Sequence, residues 1–138
     1  MQRRSLPTCV SVSAGLRQLH VGTSYSWKEV AYVAEFAHAL QALDIAIPRR
    51  IPPRAKLPTC VFVHGGSWQR GDKSGGLNQD IDEAFVRTGY LGVSVNYRMS
   101  PEVQHPEHVK DVAAAVTWLH RNIAKVVTEA FVKWGQED

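Results

Sequence analysis

The segment His64-Gly65-Gly66-Ser67-Trp68 is where this sequence concentrates its chemistry. It follows the apolar run Thr59-Cys60-Val61-Phe62-Val63 and precedes a polar, glycine-containing stretch, Gln69 to Gly76. Consecutive glycines let a backbone turn sharply and present its N–H groups without obstruction by a Cβ. Donors of this kind hold the negative oxygen of a tetrahedral intermediate in acyl transfer, where losing one side-chain donor costs ~3 kcal/mol. Ser67 stands where a HGGG-type loop has its third glycine, and its backbone N–H remains available. The plainer reading is a glycine turn that only reverses the chain.

Other reactive residues carry weaker signals. Asp72 and Lys73 either brace the loop after the glycines or lie on an exposed turn, and Arg98 either pairs with a carboxylate or caps a strand end. His105-x-x-His108 with Glu107 has no evident third ligand, so it reads as a surface loop with incidental histidines, and no metal is expected. Cys9 and Cys60 lack metal or redox spacing, and Cys60 sits inside an apolar run, so both are expected to be free thiols. A triad needs a nucleophile, a base within reach and a group that orients the base. No Gly-x-Ser-x-Gly occurs in the sequence: Gly22-Thr23-Ser24-Tyr25-Ser26, Gly65-Gly66-Ser67-Trp68-Gln69 and Gly92-Val93-Ser94-Val95-Asn96 each lack the second glycine. Ser67 is a poor nucleophile candidate, because it would have to attack what its own backbone holds.

The elements that must position the loop follow from periodicity. Val30, Tyr32 and Ala34, then Leu43, Ile45 and Ile47, alternate as two half-buried strands do, with a hairpin around Glu35 to Ala39. The Ala-rich stretch 31 to 42 also fits a short helix. Pro48, Pro52, Pro53 and Pro58 mark a surface connection. Thr59 to Val63 is a continuous apolar run, as in a strand buried on both faces. Leu77, Ile81, Ala84 and Phe85 have helical spacing, with Gly89 as the C-cap. Tyr90 to Val95 is a further buried strand. Val109, Val112, Ala113, Val116, Leu119 and Ile123 form an amphipathic stripe with Pro106 near its first turn, and Val127, Ala130, Phe131 and Trp134 continue it into one helix over 109–134. The order is strand, strand, strand, helix, strand, helix, with residues 59–96 as a right-handed parallel βαβ unit.

Composition excludes several classes. The 138 residues are 44% hydrophobic and 21% charged, with a mean hydropathy of -0.22, which argues against long disorder, collagen or coiled coil. No apolar run approaches the ~20 residues of a membrane helix. Leu6 to Leu16 is broken by Pro7, Thr8, Ser11, Ser13 and Gly15, a poor signal-peptide core, so a cytoplasmic location is expected. Residues 1–56 hold eight Lys/Arg against three Asp/Glu, and residues 57–138 eight against ten. The basic charges are scattered and no nucleic-acid-binding motif accompanies them, so a solvated loop is favoured over nucleic-acid binding.

Val61 to Lys73 resembles the strand and oxyanion loop of α/β-hydrolase esterases related to feruloyl and acetylxylan esterases and to kynurenine formamidase. Gly92 to Pro101, with Tyr97-Arg98-Met99-Ser100-Pro101, resembles their next strand and its exit, and His105 to Val112, running on to Leu119, their following helix. Leu43-Asp44-Ile45 resembles their Leu-Asp-hydrophobic strand. The resemblance covers residues 28–125 and implies an α/β fold: a partial α/β-hydrolase sheet of about four strands, three-layered, with a hairpin-like start, then β-α-β-α around a mostly parallel core. Residues 1–26 give no clean period, with Ser, Thr, Gly and Pro at intervals, and read as a poorly ordered arm; the resemblance implies the N-terminal half of the hydrolase domain over 27–125 and leaves a divergent helical tail over 126–138.

By the same resemblance His64, Gly65, Gly66 and Ser67 form the oxyanion loop, with Gly66 and Ser67 as donors and Trp68 as a wall of the acyl pocket. The implied activity is hydrolysis of acyl esters or arylformamides by a serine acyl-enzyme route, without metal or organic cofactor. The family's nucleophile elbow, acid and histidine come after such a helix, so the 138 residues are expected to be inactive alone. The alternatives are a non-catalytic truncated pseudoenzyme or an interaction or ligand-binding module. Expected partners are a small acyl ester or arylformamide, with neither nucleic acid nor membrane. In the family's sheet order the strand at 59–63 would keep one unpaired edge, a route to self-association unless the tail helix covers it.

Overall fold

Alternating apolar residues in Ala42–Pro48 and a β-branched, glycine-containing run in Leu91–Val95 form the two central strands of a four-stranded sheet. The computed structural model describes residues 24–35, 37–51, 54–74 and 81–134. In chain order the elements are β1 (Ser24–Ala31), β2 (Ala42–Pro48), β3 (Thr59–Val63), α1 (Ile81–Arg87), β4 (Leu91–Val95) and α2 (Glu107–Trp134), the order the sequence predicts. Across the sheet the order is β1-β2-β4-β3. Among the described residues only β3 and β4 pair in parallel, as the βαβ reading requires; β1–β2 and β2–β4 are antiparallel, so the sheet is mixed rather than mostly parallel.

β1 begins at Ser24, paired with Pro48, so the arm expected over 1–26 gives up its last three residues to the sheet; residues 1–23, with Cys9, lie outside the described ones. The hairpin forms and the alternative short helix does not, with Tyr32 N–H donating to Gln41 O at 3.2 Å. A bulge between Trp27 and Val30 explains the weak period of β1. One extra residue shifts the inward positions from Tyr25 and Trp27 to Val30 and Tyr32, and all four side chains are buried. Glu29, at φ 56°, occupies the bulge, and its N–H donates to Asp44 Oδ1 at 2.9 Å.

Leu43, Ile45, Ile47, Val93 and Val95 meet Ala115, Leu119, Val126 and Ala130 of α2 in one core cluster. Small residues on the opposite face, Ala46 and Gly92, let α1 lie against β4 and β2. Gly89 ends α1 at φ 90°: its N–H donates to Val86 O and that of Tyr90 to Phe85 O, the paired bonds of a Schellman cap. Leu77 lies outside the described residues.

Two expectations are corrected. β3 is a strand, but no residue of it is buried, because it forms an edge of the described sheet with β4 as its one neighbour. The stripe on α2 is only partly as expected: Leu119 and Ala130 face inward, but Val109, Ala113 and Val116 are exposed, and His108, Asp111, Ala115 and Val126 are buried instead. Polar partners at His108 and Asp111, described below, set the rotation of the helix. Its final turns pack over β1, with Phe131 edge-on to Tyr25 at 6.0 Å between centroids and Lys133 over the Trp27 ring. The tail is thus continuous with α2, and these contacts lie on the side of the sheet away from β3.

Candidate active site

The glycine loop leaves β3 beside the exit of β4, where the last paired residues are Val63 and Val95. One step beyond the ladder, the buried Tyr97 hydroxyl donates to His64 O at 2.8 Å, and the two rings stack with centroids 4.5 Å apart and planes 13° apart. His64 Nδ1 lies 2.8 Å from Gly65 O, and since a carbonyl only accepts, Nδ1 carries the proton. His64 Nε2 is buried without a partner among the described residues.

The loop itself is strained. Gly66 (φ 128°), Ser67 (φ 55°) and Trp68 (φ 61°) all lie at positive φ, a conformation that costs non-glycine residues roughly 1–2 kcal/mol each. Gly66 O accepts from the N–H groups of Gln69 (3.1 Å) and Arg70 (3.2 Å), closing a tight turn. A Cβ on Gly66 would stand 1.8 Å from Arg70 O, so glycine is required there. Gly71 (φ 107°) is equally confined, with Gly65 O and His64 Nδ1 each 2.4 Å from where its Cβ would be. The N–H groups of Gly65, Gly66 and Ser67 have no acceptor among the described residues. Gly65 and Ser67 are exposed. Unpaired donors on a rigid turn are an arrangement that can hold developing negative charge.

Three grips fix this turn from the segment after β4. Tyr97 holds His64, and Ser100 N–H donates to Trp68 O at 2.8 Å. The third is the buried His108, whose ring lies 5.3 Å from that of Trp68 and whose Nε2 lies 3.0 Å from Ser100 Oγ. Ser100 Oγ donates to Val103 O at 2.9 Å, so it accepts from His108. The expectation of an incidental surface histidine is therefore corrected for His108, while His105 is exposed. Trp68 is 44% exposed, with one edge on Tyr97 at 5.2 Å, and presents an aromatic surface beside the donors.

Charged residues lock the flanks. Arg98 makes a two-pronged ion pair with the buried Asp111 (Nε to Oδ2 2.9 Å, Nη2 to Oδ1 2.8 Å), and Gln41 adds a bond to Oδ1 at 3.0 Å. Burial pushes the Asp111 carboxyl up, but the Arg98 and Gln41 bonds and the Arg98 charge outweigh it and leave it below its ordinary value. Asp72 and Lys73 brace the loop. Asp72 accepts from Ser74 N–H (2.8 Å), Ser74 Oγ (2.6 Å) and Asn96 Nδ2 (2.8 Å). Burial pushes the Asp72 carboxyl up, yet these bonds and the Lys73 charge bring it down to about 2. The buried Lys73 pairs with Glu29 in the β1 bulge and with Asp44 Oδ1 at 3.4 Å, and its N–H donates to Asn96 Oδ1 at 2.7 Å. Asp44, read from the sequence only as part of a strand motif, thus joins β2 to both the bulge and the loop. Among the described residues no helix is long and apolar enough to cross a membrane.

The family model BD-FAE matches residues 43–135, taking in part of the tail read as divergent. Similar relatives include esterase LipC of Mycobacterium tuberculosis, 29% identical over 62% of this chain and 21% of that protein. Carboxylesterase NlhH of the same species is 37% identical over 58% of this chain and 26% of that protein. Kynurenine formamidase of Meyerozyma guilliermondii is 36% identical over 45% of this chain and 24% of that protein. The chain therefore spans about a fifth to a quarter of these relatives' length. Among solved structures, a truncated carbohydrate esterase from gut microbiota superposes with a TM-score of 0.65 at 25% identity, over 79% of this chain and 37% of that one. Esterase B from Lactobacillus rhamnosis gives 0.62 at 28% identity, over 70% and 30%. A glycine turn of this geometry, on a strand of this sheet and with these relatives, identifies the chain as a member of the BD-FAE family of esterase-like α/β-hydrolases.

Proposed function

We propose that these 138 residues supply the oxyanion-stabilising part of a serine carboxylester hydrolase. Gly65, Gly66 and Ser67 form the oxyanion loop, with Gly66 and Ser67 as the donors to a tetrahedral intermediate; His64 braces the loop and Trp68 walls the acyl pocket. The observation that carries this reading is the set of unpaired N–H groups on a turn that only glycine can make at Gly66. Short acyl esters are the favoured substrate class, since esterase B, a structural neighbour, is recorded with a tributyrin phosphonate. Arylformamides are the second class, by likeness to the formamidase.

None of these residues is assigned as nucleophile, acid or base, because the sequence carries no Gly-x-Ser-x-Gly. No metal or organic cofactor is invoked. By themselves the 138 residues bind but do not turn over. Titration with butyrate should shift the amide resonances of Gly66 and Ser67, and p-nitrophenyl butyrate should remain unhydrolysed. An unperturbed pair of amides would overturn the donor assignment, and turnover abolished by Ser67→Ala would overturn the absence of a nucleophile.

The second reading, an interaction module, is favoured by one observation: β3 is an apolar edge strand with Val63 37% exposed. It leads to concentration-dependent self-association, measurable by sedimentation.

A further inference from the structure

We infer that Tyr97 is a positioning residue of the donor loop, acting through His64; the inference rests on the proposed reading of that loop. The β3–β4 ladder stops at Val63 and Val95. At that point the Tyr97 hydroxyl replaces the missing rung by donating to His64 O at 2.8 Å. That carbonyl belongs to the peptide unit whose nitrogen is the Gly65 N–H, so the bond fixes the first plane of the turn. Stacking of the Tyr97 ring on the His64 imidazole fixes the second contact, and the Trp68 ring edge rests on the same tyrosine 5.2 Å away. One side chain, 1% exposed, therefore touches both ends of the segment from His64 to Trp68, which holds the strained run Gly66 to Trp68.

The two functions of Tyr97 are separable. Phenylalanine would keep the stack and the packing but lose the hydrogen bond, leaving a carbonyl at the strand end without its donor. A buried tyrosine hydroxyl normally has such a partner. The partition between stack and bond lets the role be tested apart from folding.

The experiment uses the 138-residue chain, labelled for NMR. In Tyr97→Phe, the His64 carbonyl carbon and the Gly65 nitrogen should shift, the heteronuclear NOE of residues 65–68 should fall, and butyrate should bind more weakly, on the order of fivefold, the equivalent of one neutral hydrogen bond. Core amides such as those of Ile45 and Val93 should keep their shifts. Unchanged order over residues 65–68 in a folded Phe variant would overturn the inference. Should that variant not fold, 3-fluorotyrosine placed at position 97 decides: its more acidic hydroxyl should move the His64 carbonyl carbon the opposite way, and an unmoved carbonyl overturns the inference. The failure of the parent reading is distinct. It would appear as butyrate leaving Gly66 and Ser67 unperturbed in the unsubstituted chain, whereas the Tyr97 inference is still decided by loop order.

Discussion

β2 and β3 are both short, apolar strands, yet β2 is buried from Ala42 to Ile47 and β3 is nowhere buried. β2 lies between two neighbours, and α2 closes one of its faces; among the described residues β3 has β4 alone. Around β2 the structure is held by packing of Leu43, Ile45 and Ile47 against the helix. Around the end of β3 it is held by hydrogen bonds and ion pairs through Tyr97, Asn96, Ser100, Asp72 and Lys73. The comparison separates stability from placement. Apolar burial contributes roughly 25 cal/mol per Å² without direction, whereas hydrogen bonds contribute less net energy but define where a donor points.

The largest expected effect should break the buried side of the comparison. Ile45→Ala is expected to lower unfolding free energy by about 4 kcal/mol, as for fully buried aliphatic residues, while Val61→Ala in β3 should cost about 1 kcal/mol. Urea denaturation reads both, and equal losses would contradict the edge position of β3. Asp111→Ala is next, at about 3 kcal/mol, because it strips a buried partner from Arg98 and Gln41. Asp111→Asn should recover a fraction of that loss through the bond to Gln41.

Gly66→Ala should cost about 2 kcal/mol through strain at positive φ and the clash with Arg70 O. Its shift changes should be confined to residues 64–71, and changes spread evenly through β2 would show that the loop is not an independent polar unit. The polar side should also respond to acid. Asp72 is held at about 2, below its unfolded value, so its stabilising contribution is complete above the ordinary aspartate range and is lost as pH falls toward 2. Unfolding followed from pH 5 to 2 should show a shallower decline in Asp72→Asn than in the unsubstituted chain. The smallest effect is at the edge: Val63→Lys should change stability by less than about 0.5 kcal/mol. Sedimentation at high concentration should show reduced self-association of that variant.

Much of the architecture was legible because its signals are local. The element order follows from runs and breakers, and Gly89 marked the end of α1 for a reason contained within the six residues from Phe85 to Tyr90. The His-Gly-Gly turn was legible because no other residue type tolerates the φ and the contact at Gly66. Three features were not legible. The bulge at Glu29 changes the parity of β1, and a period-2 reading passes over it. The inward face of α2 is set near its start by His108 and Asp111, so hydropathy placed that part of the stripe one position off and sent Val109 and Val116 to the wrong side, while Leu119 and Ala130 were placed correctly. The roles of Tyr97 and His108 depend on residues 33 and 8 positions away, His64 and Ser100. Only the spacing of His108 and Asp111, one helical turn apart, hinted at a shared polar face.

The sequence by itself determined that a glycine turn follows an apolar strand, that a helix and a second strand complete a parallel unit, and that no elbow serine is present. These are properties of neighbouring residues: steric freedom, periodicity and residue type. The tertiary structure alone decided that no residue of β3 is buried, that polar partners turn α2, and that Tyr97 and Ser100 grip the glycine loop. Burial and hydrogen-bond partnership depend on what lies alongside in space, and a strand of given composition is core or edge according to how many neighbours it acquires.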